Sequence, residues 1–118
     1  MNLRYTDGYE IRLTRNEAEG RAWFAWSDEE CAFILYGVTC SVGEYDIAAE
    51  VVKAALDWIK RICHIGCTIR VGAHTKDLDG LQPINLVVGF YADLGFKVSM
   101  NQGTEAVQME LNWLPKGN

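Results

Sequence analysis

Residues 31–40 read CAFILYGVTC, residues 46–62 read DIAAEVVKAALDWIKRI, and residues 67–73 read CTIRVGA. The first is a continuous apolar run, rich in β-branched and aromatic residues, that suits a central strand buried on both faces. In the second the period changes. Its apolar residues fall at Ile47, Val51, Ala54, Ala55, Trp58, Ile59 and Ile62. Spacings of three and four mark one face of a helix of about four and a half turns, and leave Val52 and Lys53 off the stripe. Asp46 stands where an N-cap belongs, with Glu50 in the first turn, Lys60 and Arg61 in the last, and Gly66 just beyond. The third stretch is a short strand. Strand, helix, strand in this order is the crossover unit that makes neighbouring strands parallel.

Upstream, Tyr9 to Thr14 alternates, with Tyr9, Ile11 and Leu13 on one face, as a half-buried strand does. Asn16 to Gly20 supplies a turn, and Arg21 to Trp26 is a second strand stopped by Ser27-Asp28-Glu29-Glu30. The first forty residues therefore predict an antiparallel meander. Downstream, His74 to Gly80 is a polar loop, and Pro83 opens a second helix that runs to about Leu94 and ends at Gly95. Phe96 to Met100 and Ala106 to Trp113 are strands, joined by a hairpin turn at Asn101-Gln102-Gly103-Thr104. With neither repeat nor linker, residues 1–118 make a single α/β domain. A mixed central β-sheet with two main helices is expected, in the order β-β-β-α-β-α-β-β.

Composition narrows the function. Eleven Lys plus Arg face sixteen Asp plus Glu, a formal charge of −5. A nonspecific nucleic-acid binder needs positive charge to release counterions, and an anionic membrane surface repels an acidic chain, so neither partner is expected. The first ten residues carry charge where a secretion signal needs an apolar stretch, and no apolar run reaches membrane-spanning length, so a cytoplasmic protein is expected. Cys63 and Cys67 flank His64 in a spacing that suggests metal ligands, but Cys31, Cys40 and His74 do not complete a set. They are read as core and strand-edge thiols in a reducing compartment, and no metal is expected.

Phe90-Tyr91-Ala92-Asp93-Leu94-Gly95-Phe96 resembles a segment near the C-terminus of the GNAT superfamily of N-acetyltransferases, where it ends the second main helix and enters the next strand. Ile34 to Cys40 resembles that family's central strand, Gly43 to Trp58 its pyrophosphate loop and long helix, and Val107 to Leu111 its closing strand. The resemblance covers roughly residues 30–113 and omits most of the N-terminal helical region, which makes the chain a minimal member with an acyl-CoA N-acyltransferase-like fold. It implies transfer of an acetyl group from acetyl-CoA to a primary amine, in a small molecule or at a protein lysine or N-terminus, by direct attack on the thioester. The alternative is a noncatalytic, acidic module of the same fold that binds or inhibits another protein.

The same resemblance assigns residues. The coenzyme would lie along Val38, Thr39 and Cys40, over Gly43, Glu44, Tyr45, Asp46, Ile47 and Ala48, and near Asn85, which stands one residue closer to the tyrosine than is usual. Tyr91 would protonate or hydrogen-bond the thiolate leaving group, and a backbone N–H near Val38 or Thr39 would polarise the acetyl carbonyl. The pyrophosphate loop departs from the family pattern. Of the matching positions Gly43, Asp46 and Ala48, only Ala48 is conventional. A capping Asp46 would occupy the helix N–H groups meant for phosphate, and Glu44 adds a second negative charge. Glu10, Glu29 and Glu30 are weak candidates for a general base, better read as solvated carboxylates. His64 lies at a helix C-terminus, and His74 follows a strand facing the cleft.

Trp23, Trp26 and Trp113 fall on predicted strands. Trp23 alternates with Phe24, so the two face opposite sides of the sheet, and an exposed one would mark a partner surface. A homodimer is expected, through the strand from Ala106 to Trp113.

Overall fold

A computed structural model describes residues 2–5, 8–63, 65–101 and 106–114. The elements run β1 (Asn2–Tyr5), β2 (Gly8–Arg15), β3 (Ala18–Ser27), β4 (Ala32–Cys40), α1 (Tyr45–Ile62), β5 (Cys67–His74), α2 (Ile84–Asp93), β6 (Lys97–Asn101) and β7 (Ala106–Trp113). The strands form one sheet in the order β1-β2-β3-β4-β5-β7-β6. The mixed α/β order read from the sequence holds, with one addition. Strand β1, four residues long, pairs antiparallel with β2 at the sheet edge. So short a segment shows too little alternation to stand out.

Local chemistry sets the meander. The turn between β2 and β3 is two residues, Asn16 and Glu17, both at positive φ (48° and 70°). That is the geometry whose twist matches a tight hairpin, so β3 begins at Ala18 rather than at Arg21. In the β3–β4 ladder Trp23 faces Gly37 and Phe24 faces Leu35, which leaves Tyr36 as an extra residue on β4. Such a bulge bends its strand and adds twist. Strand β4 then pairs parallel with β5, as the crossover through α1 requires.

The buried face of α1 is displaced from the expected stripe. Val52 and Leu56 are buried, whereas the terminal Ile62 is 45% exposed. The helix lies across β2, β3 and β4, a surface wide enough to bury two adjacent rows of side chains. Trp58 packs its ring 4.3 Å from Tyr9 and 5.5 Å from Phe24. Helix α2 buries only Val87 and Tyr91, against β5 and β7. Both helices share one continuous core with Phe24, Leu35, Ile69, Val71 and Met109, so they lie on the same face of the sheet.

The alternate residues point to the other face, which no helix among the described residues covers. There Arg21 stacks its guanidinium 4.8 Å from the Trp23 ring. Glu10, only 1% exposed, accepts from Arg12 at 3.1 Å and Arg21 at 3.2 Å. Held between two guanidiniums, Glu10 is not the solvated carboxylate expected. Trp26, on the helix side with its ring 5.2 Å from Phe33, donates its indole N–H to Asp28 at 2.7 Å. Strand β7 is paired on both sides, by β5 and β6, so it offers no edge for a second copy to pair with, and among the described residues the free edge at this end is β6. The hairpin residues 102–104 lie outside the described residues. Among the described residues no helix is long and apolar enough to cross a membrane.

Gly20 fixes how closely α1 approaches β3. A Cβ there would collide with the Ile47 side chain and stand 3.1 Å from its carbonyl oxygen. Gly20→Ala is therefore expected to cost about 1–3 kcal/mol by overpacking. Gly72→Ala, on a strand with nothing within 4 Å, should change stability by no more than about 0.5 kcal/mol. Denaturant melts of the two variants check the contrast, and equal losses would contradict it.

Candidate functional site

The parallel ladder between β4 and β5 is short. It joins Phe33 to Ile69, Ile34 to Arg70 and Leu35 to Val71, then stops, although β4 continues to Cys40 and β5 to His74. From the bulge at Tyr36 onward the two strands part. The gap opens toward the start of α1, where Gly43 at φ 74° turns the chain into the helix.

The chain itself enters this gap, with the loop that leaves β5. Leu78 donates its N–H to the Val38 carbonyl at 2.8 Å, and Cys40 donates its N–H to the Leu78 carbonyl at 3.0 Å. One residue of loop thus completes the edge of β4 as a parallel partner to Thr39. Leu78 is 2% exposed and adopts φ 63°, a left-handed conformation that crowds a leucine Cβ.

Its neighbours are equally committed. The Asp79 carboxylate accepts from the Gly43 N–H at 3.1 Å, the Tyr45 hydroxyl at 2.6 Å and the Leu81 N–H at 3.0 Å. Gln82 donates to the same Tyr45 hydroxyl. The Tyr45 hydroxyl most of all, with the Leu81 and Gly43 N–H groups, holds Asp79 below the usual carboxylate range, and the bond to Asp79 raises Tyr45 in return. On the other side, Asp77 accepts from the Tyr91 hydroxyl at 3.0 Å and from the His74 N–H at 3.1 Å. Burial pushes the Asp77 carboxyl up, and the His74 and Tyr91 hydrogen bonds only partly offset it. Tyr91 is fully buried; burial first, then the Asp77 charge, drive its phenol well above the ordinary value. Cys40, raised to about 11 by burial and by Asp79 and Glu44, stays a thiol.

Against this geometry the sequence-derived residues sort clearly. Val38 and Cys40 offer their strand-edge groups, on either side of Thr39. Asp46 is not the N-cap: that position falls to Glu44, without a side-chain cap, and Asp46 lies exposed in the first helical turn. The N–H that holds a carboxylate is that of Gly43, in the turn one residue before the cap position, and the carboxylate is Asp79. Ile47 and Ala48 turn their side chains into the core. Asn85 is exposed while Tyr91 is buried. Six residues of helix are about 240° of rotation, so the two cannot share a face, as a spacing of seven would allow. Glu29 and Glu30 are exposed, and Glu30 pairs with Arg70 at 3.0 Å. His74 accepts the Lys76 N–H at 3.0 Å on Nδ1, within its own loop. His64 lies outside the described residues. The described cysteines are free thiols, Cys67 pushed up to about 12 by burial and by its contact with Cys63. Among the described residues no group of three or more His, Cys, Asp or Glu is placed to hold a metal. The sequence reading missed Asp77, Leu78 and Asp79, taken together as polar loop. The one signal was a leucine between two aspartates.

Two solved structures share this arrangement of strands and helices. The PaiA N-acetyltransferase of Thermoplasma acidophilum, solved in complex with coenzyme A, matches with a TM-score of 0.66 and 16% identity over 91% of this chain and 62% of its own. Aminoglycoside 6′-acetyltransferase type Ii matches with a TM-score of 0.66 and 18% identity over 95% and 73%. This is the N-acetyltransferase fold. The chain spans less than two thirds of the length of the first protein. No family model and no curated protein sequence matches it.

In an N-acetyltransferase fold the coenzyme question turns on the donor set. The parted strands leave a strand edge able to hold an amide, followed by the Gly43 N–H, in the turn just before α1, able to hold an anion. In this structure Leu78 supplies that amide and Asp79 that anion. Both positions are thus taken by residues of the chain itself.

The Tyr91–Asp77 pair carries a pH signature. Because the folded carboxyl titrates above its unfolded value, its contribution is fully present at low pH, below the ordinary carboxylate pKa. It is lost as pH rises through the raised folded value. Wild type should therefore lose stability relative to Asp77→Asn as pH rises above the ordinary carboxylate value of about 4. Tyr91→Phe, which removes a buried donor, should cost about 1–3 kcal/mol at neutral pH and less in acid. Thermal melts across that range check both; a pH-independent difference between wild type and Asp77→Asn would contradict the assignment.

Proposed function

We propose that this chain binds an acyl-coenzyme A, acetyl-CoA above all, and transfers the acyl group to a primary amine. The observation that carries the reading is the stand-in: an amide at Leu78 and a carboxylate at Asp79, in that order, along the edge of β4 and at the start of α1. The bound coenzyme would supply a thioester carbonyl open to attack. In that reaction a C–N bond forms, the C–S bond breaks, the amine gives up a proton and the departing thiolate takes one. Val38 and Cys40 would hold the amide arm and Gly43 the phosphate end. Tyr91, kept as a phenol by its raised pKa, would be the proton source for the thiolate. Asp46, exposed at the helix start, opposes the phosphates by charge alone, and Asn85 plays no part beside Tyr91. The surplus of negative charge favours a cationic acceptor, whether a small amine or a protein lysine or N-terminus. Free thiols fit a reducing, cytoplasmic setting. A second copy, if one binds, pairs through the free edge of β6.

A specific observation favours a second reading. Tyr91 is buried against Asp77, and among the described residues no helix covers one face of the sheet, which suits a noncatalytic module that binds a protein. Calorimetric titration with acetyl-CoA, followed by transfer to a lysine peptide and a small alkyl diamine, separates the two. Saturable binding and acetylated product are expected. A folded chain that gives no heat and no thermal shift at millimolar acetyl-CoA would overturn the transferase and leave the module.

A further inference from the structure

We infer that residues 77–79 form a displaceable strap that holds the site shut until acyl-coenzyme A displaces it, so that the free chain is self-inhibited. The inference rests on the reading of the site as an acyl-coenzyme A groove. It goes beyond that reading in assigning the loop a regulatory role.

Three consecutive residues each block a different part of the site. Asp77 takes the hydroxyl of Tyr91, Leu78 takes the Val38 carbonyl and the Cys40 N–H, and Asp79 takes the Gly43 N–H and the Tyr45 hydroxyl. Because the three are contiguous, the blocks are not independent. A movement that frees the strand edge also withdraws the carboxylate from the helix start and uncovers the phenol. One event would open the coenzyme groove and release the proton donor together.

The strap is built to be held and to be let go. The Leu78 side chain anchors it within the core cluster. Against that anchor stand the left-handed Leu78 backbone and the buried Asp77 carboxylate, both unfavourable in the closed form. Gly80 follows at φ 77°, where glycine turns without strain, and offers a hinge. A competitor must present an amide to the strand edge and an anion beyond it. A nucleotide or free phosphate offers only the second. The apparent affinity for a complete ligand is then its intrinsic affinity reduced by the small fraction of open chain.

The test uses the whole chain with two probes, coenzyme A and pantetheine, the latter carrying the amide arm without phosphate. Asp79→Asn removes the charge and keeps an acceptor; Asp79→Ala removes both. By calorimetry, Asp79→Ala should bind pantetheine at least tenfold more tightly than wild type or Asp79→Asn. Adding coenzyme A to wild type should speed hydrogen exchange at the Leu78 amide. If Asp79→Ala improves coenzyme A alone, the gain is charge and the strap is overturned. Equal affinities in all three proteins overturn the strap but leave the coenzyme reading intact. No binding of either probe by any folded variant overturns the coenzyme reading and the strap with it. Should the variants fail to fold, exchange in wild type decides: Leu78 still protected with coenzyme A bound overturns the strap.

Discussion

A buried strand edge cannot be left without hydrogen-bond partners. Strand β4 runs on past Leu35 after β5 has turned away, and its next edge groups, the Val38 carbonyl and the Cys40 N–H, lie beside a fully buried Val38. In this chain the Leu78 backbone takes both. The placement of the β5–α2 loop, the reach of Asp79 to the helix start and the sealing of Tyr91 all follow from that one requirement. Residues either side of Leu78 have little freedom once its two hydrogen bonds are made.

Much of the architecture was legible because it rests on period. The change from alternation to three-and-four spacing after Cys40 marked the crossover, and Gly95 at φ 104° ends the second helix as its position suggested. What period does not encode was missed. The bulge at Tyr36 is one unpaired residue, visible only once β3 and β4 are in register. The width of the α1 contact depends on how many strands lie beneath it, which brought Val52 and Leu56 into the core. Asp46 has the chemistry of a cap, but the helix starts one residue earlier and the cap position falls to Glu44. The site was half legible. Strand edge, helix start and tyrosine could be placed by their neighbours in sequence, whereas Leu78 acts through its backbone N–H and carbonyl, which nearly every residue carries.

Fold and function part company at this point in an informative way. At 16% and 18% identity the two matching acetyltransferases establish the arrangement of the elements, and nothing about activity follows from the fold alone. The activity argument comes from the parted strands and the donors they present. Among the described residues no helix covers the other sheet face, where Arg21, Trp23 and Arg70 are engaged in ion pairs and ring stacking.

The claim on which the account stands is that backbone of the chain itself fills the gap between β4 and β5. Scalar couplings across hydrogen bonds, measured by NMR on the free protein, test it directly. The account predicts a coupling from the Leu78 amide nitrogen to the Val38 carbonyl carbon, and one from the Cys40 nitrogen to the Leu78 carbonyl carbon. Both should be comparable with those across the β3–β4 ladder. Couplings present throughout that ladder but missing at both Leu78 contacts would contradict it.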